Sequence, residues 1–295
     1  MGRGKAICLL SGGLDSTTVL WLAKLDHDDV LAVSFDYGQR HRIELIHAAL
    51  IAQEAGVRHA IIDLTTLTPY LAGTALTDPR IEVPEGHYAA ATMTETIVAN
   101  RNAMMLNIGA AIAIGQGARD VFAAMHAGDH YIYPDCRPEF IESLNATLAL
   151  GTETATRIVT PVLHLTKAEI VGLGAGLEVP FALTYSCYFG GAQHCGRCGT
   201  CTERIEAFRT ARVGDPTVYS DMTAYERMRR EGLVEPDQRG TDPCHDDDHA
   251  YDEAYETDAG TFRITRHPQL FEDRQTAEAA LAALRTEHDE WRHQR

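Results

Sequence analysis

The chain has 295 residues, and 26 Lys+Arg against 42 Asp+Glu leave a formal charge of −16. With 45% hydrophobic and 23% charged residues, the composition is globular and excludes a disordered, collagen-like or coiled-coil chain. The length suits one large domain or two ordinary ones. The acidic balance argues against a stable grip on a nucleic-acid backbone, and no stretch reads as long and apolar enough to span a bilayer. The opening MGRGKAICLL runs straight into a glycine-serine motif and is not a secretory signal, so a cytoplasmic protein is expected. Lys5, Lys24 and Lys167 are the only lysines, which raises the functional weight of each.

Strand-like and helix-like patterns alternate through the first two hundred residues. Lys5 to Leu10 is a short apolar run, read as a buried strand, and Ser16 to Leu25 has helical spacing. Val30 to Phe35 is a second strand, Ile43 to Ala55 a helix, and Ala60 to Leu64 a third strand. Asn102 to Gln116 reads as an alanine-rich buried helix and Val121 to His126 as a fourth strand. Pro138 to Leu150 and Lys167 to Leu177 read as helices. This alternation predicts an α/β fold, a parallel sheet covered on both faces.

The character changes after about Tyr219. Residues 221–295 hold 19 acids and 10 bases, so a quarter of the chain carries over half of the negative excess. The division expected is a main domain over 1–219 and a small acidic α+β extension over 220–295. Within the extension, Glu235 to Asp248 reads as a linker or exposed loop, and Asp252 to Thr265 as a hairpin turning at Asp258-Ala259-Gly260. Gln275 to Glu290 reads as an amphipathic helix. The string Cys244-His245-Asp246-Asp247-Asp248-His249 has metal-ligand residue types, but a solvated acidic loop is the plainer reading.

Two motifs carry chemistry. The first strand leads into Ser11-Gly12-Gly13-Leu14-Asp15-Ser16-Thr17-Thr18 and then a helix. Two glycines let backbone approach an anion, Ser11, Ser16 and Thr17 add hydroxyls, and the helix start adds unpaired N–H groups. Asp15 at the helix start is placed to cap it or to help hold a magnesium ion. Further on, Cys187, Cys195, Cys198 and Cys201 crowd together with Gly190, Gly191, Gly196 and Gly199 between them. Four thiolates on short flexible spacers suit a closed, structural zinc site, with an iron–sulfur cluster as the competing reading.

The first string resembles the pyrophosphate loop of the N-type ATP pyrophosphatases, which transfer AMP rather than a phosphoryl group. The resemblance implies a doubly wound sheet with the nucleotide at the carboxyl ends of the strands. Further strings fall in order: Phe35-Asp36-Tyr37-Gly38-Gln39-Arg40-His41, Asn100-Arg101-Asn102, Tyr133-Pro134-Asp135-Cys136-Arg137, Thr160-Pro161 and Thr166-Lys167-Ala168-Glu169. With the cysteines they make the chain, over roughly residues 5 to 215, resemble the 7-cyano-7-deazaguanine synthases. Val98-Ala99 stands where that family usually has a proline before the arginine, and the last seventy-odd residues lie outside the resemblance.

That family is an ATP-dependent C–N ligase acting on a small molecule, 7-carboxy-7-deazaguanine, and ammonia. It consumes ATP twice, with Mg²⁺, through an adenylated acid and an adenylated amide. The resemblance then implies roles. Ser11, Gly12, Gly13, Asp15, Ser16 and Thr17 would hold ATP. Arg40 and Arg101 would meet phosphate or the substrate carboxylate. Lys167 would meet charge developing at the α-phosphate. Asp129 or Asp135 would bond the guanine-like edge, Asp36 ribose or base, and Tyr133 would stack on the heterocycle. Cys136 belongs to the pattern, but adenylate chemistry needs no thiol nucleophile. A homodimer is implied as well, and the extension is open to a protein partner. Competing readings are a relative that stops at the amide or passes the acyl group to another amine, a tRNA-thiolating or amidating pyrophosphatase, and a nucleotide-binding partner without turnover.

Overall fold

The computed structural model describes residues 4–71, 73–87, 91–232, 262–263 and 270–271. Five parallel strands form the sheet: β1 (Lys5–Leu9), β2 (Asp29–Asp36), β3 (Arg58–Asp63), β4 (Asp120–Phe122) and β5 (Arg157–Val159), in the order β3-β2-β1-β4-β5. The crossover helices are α1 (Leu14–Asp26), α2 (Glu44–Glu54), α3 (Arg101–Gln116) and α4 (Pro138–Thr152). After β5 come α5 (Lys167–Gly176), α6 (Gly199–Ala211) and α7 (Thr223–Arg230). The chain therefore winds one way from β1 to β3, then returns to the other side of β1 for β4 and β5. The expected doubly wound α/β fold is what forms.

Both faces of the sheet are buried, which is why its strands read as apolar runs. Ala6, Cys8, Leu10, Ala32 and Phe122 pack with α1, α2, α5 and α6. Ile7, Val33, Phe35, Val121 and Ala123 pack with α3 and α4, among them Leu106, Ala110, Ile141 and Leu144.

Some elements differ from the sequence expectation. β4 spans three residues rather than six. Beyond Ala123, whose N–H still donates to Val159 at 2.9 Å, the chain leaves the sheet and lines the cavity described below. β5 is too short to show a period. α6 and α7 are additional: the Gly-Cys string before α6 reads as loop, yet Cys198 caps the helix that starts at Gly199. Tyr225 and Met228 of α7 are buried with Ile205 of α6, so packing continues past residue 219. In the acidic segment, β6 (Phe262–Arg263) pairs antiparallel with β7 (Leu270–Phe271). The end of the expected hairpin thus pairs forward in the chain. The rest of that hairpin, its turn at 258–260, the linker, the Cys244–His249 string and the helix over 275–290 lie outside the described residues.

One described segment, Met93–Gln116, does reach the length and hydropathy of a membrane span, which the sequence reading did not anticipate. It is no single α-helix: Asn100 has φ 57°, and α3 starts only at Arg101. Sixteen residues rise about 24 Å, short of a bilayer core of about 30 Å. The apolar face of α3 is spent on the sheet.

Arg204 of α6 is fully buried. It donates to the Asp215 carboxylate at 3.1–3.3 Å, to Thr184 Oγ1 at 2.7 Å and to the Phe181 carbonyl at 3.3 Å. It ties α6 to the segment that leads into the cysteines. Arg204→Met is expected to lower the urea-unfolding free energy by about 3–5 kcal/mol, since it strands the half-buried Asp215 charge. A loss under about 1 kcal/mol would show that the pair is not structural.

Candidate active site

At the carboxyl ends of β1, β2 and β4 lies a cavity of about 250 Å³. Its first wall is the loop from β1 to α1. Gly12 sits at φ +89° with its α-carbon facing the backbone carbonyl of Glu44, so a Cβ would collide there. Ser11 and Ser16 join their hydroxyls at 3.0 Å, and Ser16 Oγ accepts from the Ser11 N–H at 3.2 Å. Ser11, Gly13, Asp15 and Ser16 line the cavity. Thr17 turns inward: it is fully buried and its hydroxyl donates to the Gly13 carbonyl at 2.7 Å.

Lys167 opens α5, behind a capping box in which Thr166 and Glu169 bond each other's backbone N–H groups. Its Nζ donates to Asp15 Oδ2 at 2.6 Å and lies 3.2 Å from Glu203 Oε2, in ion-pair range without a hydrogen bond. Burial alone would lower the Lys167 pKa, but Asp15, Glu203 and Asp129 raise it, so the ammonium is held charged. Burial pushes Asp15 up, and Lys167 and His126 outweigh it and hold the carboxyl below its usual range. Glu203 is left raised by burial, which Lys167 only partly offsets. His126 Nδ1 accepts from the Gly128 N–H at 3.1 Å, and its Nε2 lies 3.3 Å from Lys167 Nζ and 3.4 Å from Asp129 Oδ2. Three carboxylates thus surround one lysine, and Asp15 Oδ1 is buried with no partner. That donor set fits a hard divalent cation, which takes oxygen ligands.

The opposite end is aromatic. Arg101, the first residue of α3, lies over the Tyr37 ring at 5.8 Å and donates to its hydroxyl at 3.2 Å. Tyr133 and Tyr188 stand beside it, and Tyr133 OH pairs with Thr96 Oγ1 at 2.8 Å. Glu44, in the first turn of α2, also faces the cavity. Gln39 donates to its Oε1 at 2.8 Å, and His41 Nε2 lies 3.4 Å from its Oε2. Burial lifts the Glu44 carboxyl to about 7 and lowers His41 to about 3, with Arg101 adding to the latter.

The four cysteines form one buried cluster, their sulfur atoms all within 4.8 Å of one another. A tetrahedral site with metal–sulfur bonds of about 2.3 Å needs sulfurs about 3.8 Å apart, and Cys195 and Cys201 are separated by 3.8 Å. Gly196, at φ +76°, presses against the Asp221 carbonyl and makes the tight turn between Cys195 and Cys198. The cluster fits a tetrahedral metal. Its loop also donates a hydrogen bond from Tyr185 N to the Gly12 carbonyl at 2.8 Å, joining the cysteine loop to the phosphate loop.

Of the residues singled out from the sequence, Ser11, Gly13, Asp15, Ser16, Arg101, Asp129, Tyr133 and Lys167 meet at this cavity. Gly12 and Thr17 support it from behind. Three others face elsewhere. Arg40 Nη2 donates to the carbonyls of Asp78 and Ile81 at 3.1 and 2.9 Å and holds that loop. Asp36 accepts from the Gly38 N–H and pairs with Arg42. Asp135 caps α3, accepting from Asn102 N at 3.0 Å and Nδ2 at 3.2 Å. The sequence reading gave no role to His126, Glu203, Glu44, His41, Tyr37 or Tyr188. Tyr37 and His41 stood inside a quoted motif. Glu203 became visible only with α6.

A parallel sheet whose first strand opens into a glycine-serine loop, with a lysine and carboxylates across the strand ends, defines an α/β nucleotide-binding enzyme. A family model described as "Queuosine biosynthesis protein QueC" matches residues 5–212. A 7-cyano-7-deazaguanine synthase of Paracoccus denitrificans is 49% identical over 219 residues, 74% of this chain and 94% of its own. One of Rhizobium rhizogenes is 50% identical over 219 residues, with 74% and 92% covered. The chain belongs to the 7-cyano-7-deazaguanine synthase family. Among solved structures, a U34-tRNA thiolase of Methanococcus maripaludis is similar at 16% identity and TM-score 0.44, covering 83% of this chain and 80% of its own. An NMN synthetase of Francisella tularensis is similar at 16% and 0.42, covering 78% and 87%. Both are too distant to argue from.

The raised Glu44 pKa carries a pH consequence. The folded state binds this proton more tightly than the unfolded chain, so its contribution is full below pH 4.5 and is lost as pH rises through about 7. Glu44→Gln mimics the neutral form. Its stability relative to wild type should rise by about 2–3 kcal/mol between pH 4.5 and pH 8, read from urea unfolding at each pH. An unchanged difference across that range would show that Glu44 ionises normally.

Proposed function

We propose that the chain is an ATP-dependent ligase that converts 7-carboxy-7-deazaguanine and ammonia into 7-cyano-7-deazaguanine, through an adenylated acid and then an adenylated amide. The observation that carries the reading is the union, in one cavity, of a phosphate loop and a guanidinium set among phenols, in a chain whose relatives bear that name. A carboxylate does not expel oxide when ammonia attacks it, and adenylation makes that oxygen a leaving group. A second adenylation, on the amide oxygen, lets it leave and forms the nitrile.

On this reading Ser11, Gly13, Ser16 and the first N–H groups of α1 receive the β- and γ-phosphates. Lys167 faces the α-phosphate and offsets the charge that gathers there, with Asp15 fixing its direction. Asp15, Asp129 and Glu203 would hold Mg²⁺, which supplies charge neutralisation for the departing pyrophosphate. Arg101 receives the substrate carboxylate, a fork that suits two oxygens, while Tyr133 and Tyr188 flank the flat heterocycle. Asp129 stands beside His126 at the phosphate end and goes with the metal rather than with the guanine-like edge. Cys136 lines the cavity, but burial pushes its thiol up and away from the thiolate a nucleophile needs. The cysteine cluster would hold structural Zn²⁺, which fixes the start of α6 and hence Glu203. A cytoplasmic homodimer is the assembly and location that go with this reading, and the acidic segment that follows α7 is an appendage to the ligase unit.

Mass spectrometry of the product formed from ATP, Mg²⁺, ammonium and 7-carboxy-7-deazaguanine tests the function. The expected product is the nitrile, with two AMP released per turnover. An amide that accumulates would place the chain among one-step relatives. Lys167→Ala should cut kcat by about 10²–10³-fold with little change in the affinity for the deazaguanine acid. A variant that keeps wild-type kcat would remove Lys167 from the α-phosphate.

A further inference from the structure

Ammonia reaches an enzyme at neutral pH as ammonium, which has no lone pair with which to attack. The nitrogen must shed a proton before the amide forms and more protons as the adenylated amide becomes a nitrile. A ligase of the kind proposed above therefore needs a proton acceptor beside the acyl carbon. The inference that follows rests on that reading.

Four carboxyls line the cavity: Asp15, Glu44, Asp129 and Glu203. Asp15 and Glu203 are within ion-pair reach of Lys167, and Asp129 of His126. They stand at the end assigned to phosphate, gathered around Lys167 and His126. Glu44 differs in place and partners. It stands at the Arg101 end, its carboxyl bonded to a neutral amide and facing a neutral imidazole, with no Lys or Arg among the described residues in ion-pair range. Its backbone carbonyl packs on Gly12, which sets it directly behind the loop that would carry ATP. Gln39 cannot turn away, because its own oxygen accepts from Tyr37 N at 2.9 Å and its nitrogen also donates to the Phe35 carbonyl at 3.0 Å. His41 is nearly fully buried, and its Nδ1 has no partner.

We propose that the Glu44 carboxylate is the catalytic base for the nitrogen: it draws ammonium to the Arg101 end of the cavity and takes its proton. Ammonium gives one proton to Glu44, and the lone pair left on ammonia forms the C–N bond while the C–O bond to AMP breaks. The resulting amide nitrogen has one surplus proton, which follows the same route once Glu44 has released the first to solvent. In the second half the amide oxygen forms its bond to the α-phosphorus and pyrophosphate leaves. Two N–H protons then pass in turn to Glu44, and AMP departs as the nitrile forms. No oxidant or reductant is involved. The groups that face Glu44 are Gln39 and His41 before α2, Asp36 at the end of β2 and Tyr37 just after it, and Arg101 of α3. Its carboxyl sits near neutrality, where it can both take and return a proton.

Glu44→Gln tests this with two nucleophiles. Ammonium must be deprotonated, whereas hydroxylamine is already neutral at pH 7. The expected result is a fall of about 10²–10⁴-fold in kcat/KM for ammonium, recovering as pH rises toward the pKa of ammonium. Hydroxamate formation from hydroxylamine, and pyrophosphate exchange into ATP with the deazaguanine acid alone, should stay within a few-fold of wild type. An equal loss with both nucleophiles, or a loss of the exchange, would make Glu44 a structural residue and overturn the proposal. So would wild-type use of ammonium. If the glutamine variant does not fold, Glu44→Asp withdraws the carboxylate by one methylene and should show the same selectivity, smaller in size. If the wild-type chain itself shows no acid-dependent exchange, the ligase reading fails, an outcome distinct from these.

Discussion

Four buried sulfurs within 4.8 Å of one another constrain the rest of the site. Four sulfurs so placed crowd their lone pairs together. A tetrahedral cation would turn that crowding into four bonds. Once the sulfurs are fixed, so are the elements that hold them. Cys198 is the N-cap residue of α6 and Cys201 lies in its first turn, so a cation bound there would set where Thr200 and Glu203 stand in the cavity wall. Cys187 anchors the other arm, which carries Tyr185, Ser186 and Tyr188. The bond from Tyr185 N to the Gly12 carbonyl passes that constraint to the phosphate loop. A cation held by these four sulfurs would thus keep one side of the active cavity in register with the other.

The second constraint is charge. The chain is acidic overall, and its cavity has three carboxylates around one lysine at the phosphate end. A polyphosphate would be repelled from such a site without a further cation. The acidic cluster and the lysine make sense together. The carboxylates would hold a hard ion, and together they keep the Lys167 ammonium charged despite its burial. At the far end the pattern inverts: Arg101 stands among phenols and a carboxyl near neutrality, so a carboxylate bound there would meet little competition for the guanidinium.

Most of the fold was legible because parallel strands buried on both faces leave continuous apolar runs, and Lys5–Leu9 and Asp29–Asp36 do so plainly. What escaped is what periodicity cannot see. β5 is three residues long, and α6 begins in a glycine-cysteine string that looks like a loop because its ligand spacing dominates its composition. The site was legible where backbone does the work, as in the loop over Ser11–Ser16, and where one lysine stands out among so few. Arg40, Asp36 and Asp135 sit in the right strings and point away from the cavity. A motif fixes neighbours along the chain, not the direction of each side chain. Within Phe35–His41 the cavity takes Phe35, Tyr37 and His41, while Gln39 and Arg40 brace the turn.

These constraints meet in the helix starts. The first turns of α1, α2, α3, α5 and α6 carry Asp15, Glu44, Arg101, Lys167 and Thr200 with Cys201, and each of these turns reaches the cavity or the metal cluster. A doubly wound sheet delivers the amino ends of its crossover helices to the carboxyl ends of its strands, so chemical groups placed in first turns converge with no long loop to position them. Anions are favoured there by the helix dipoles, which suits phosphate at α1 and disfavours Lys167 at α5 and Arg101 at α3. The two cations stand against their own dipoles, and each is held by groups from elsewhere: Asp15 of α1 for Lys167, and the Tyr37 phenol for Arg101. Glu44 is the converse case, an acid in the position a helix favours for its charged form, yet lifted toward neutrality by burial. A position that the backbone favours for the anion and burial favours for the acid leaves the two forms close in energy, which is the condition a proton-transfer group has to meet.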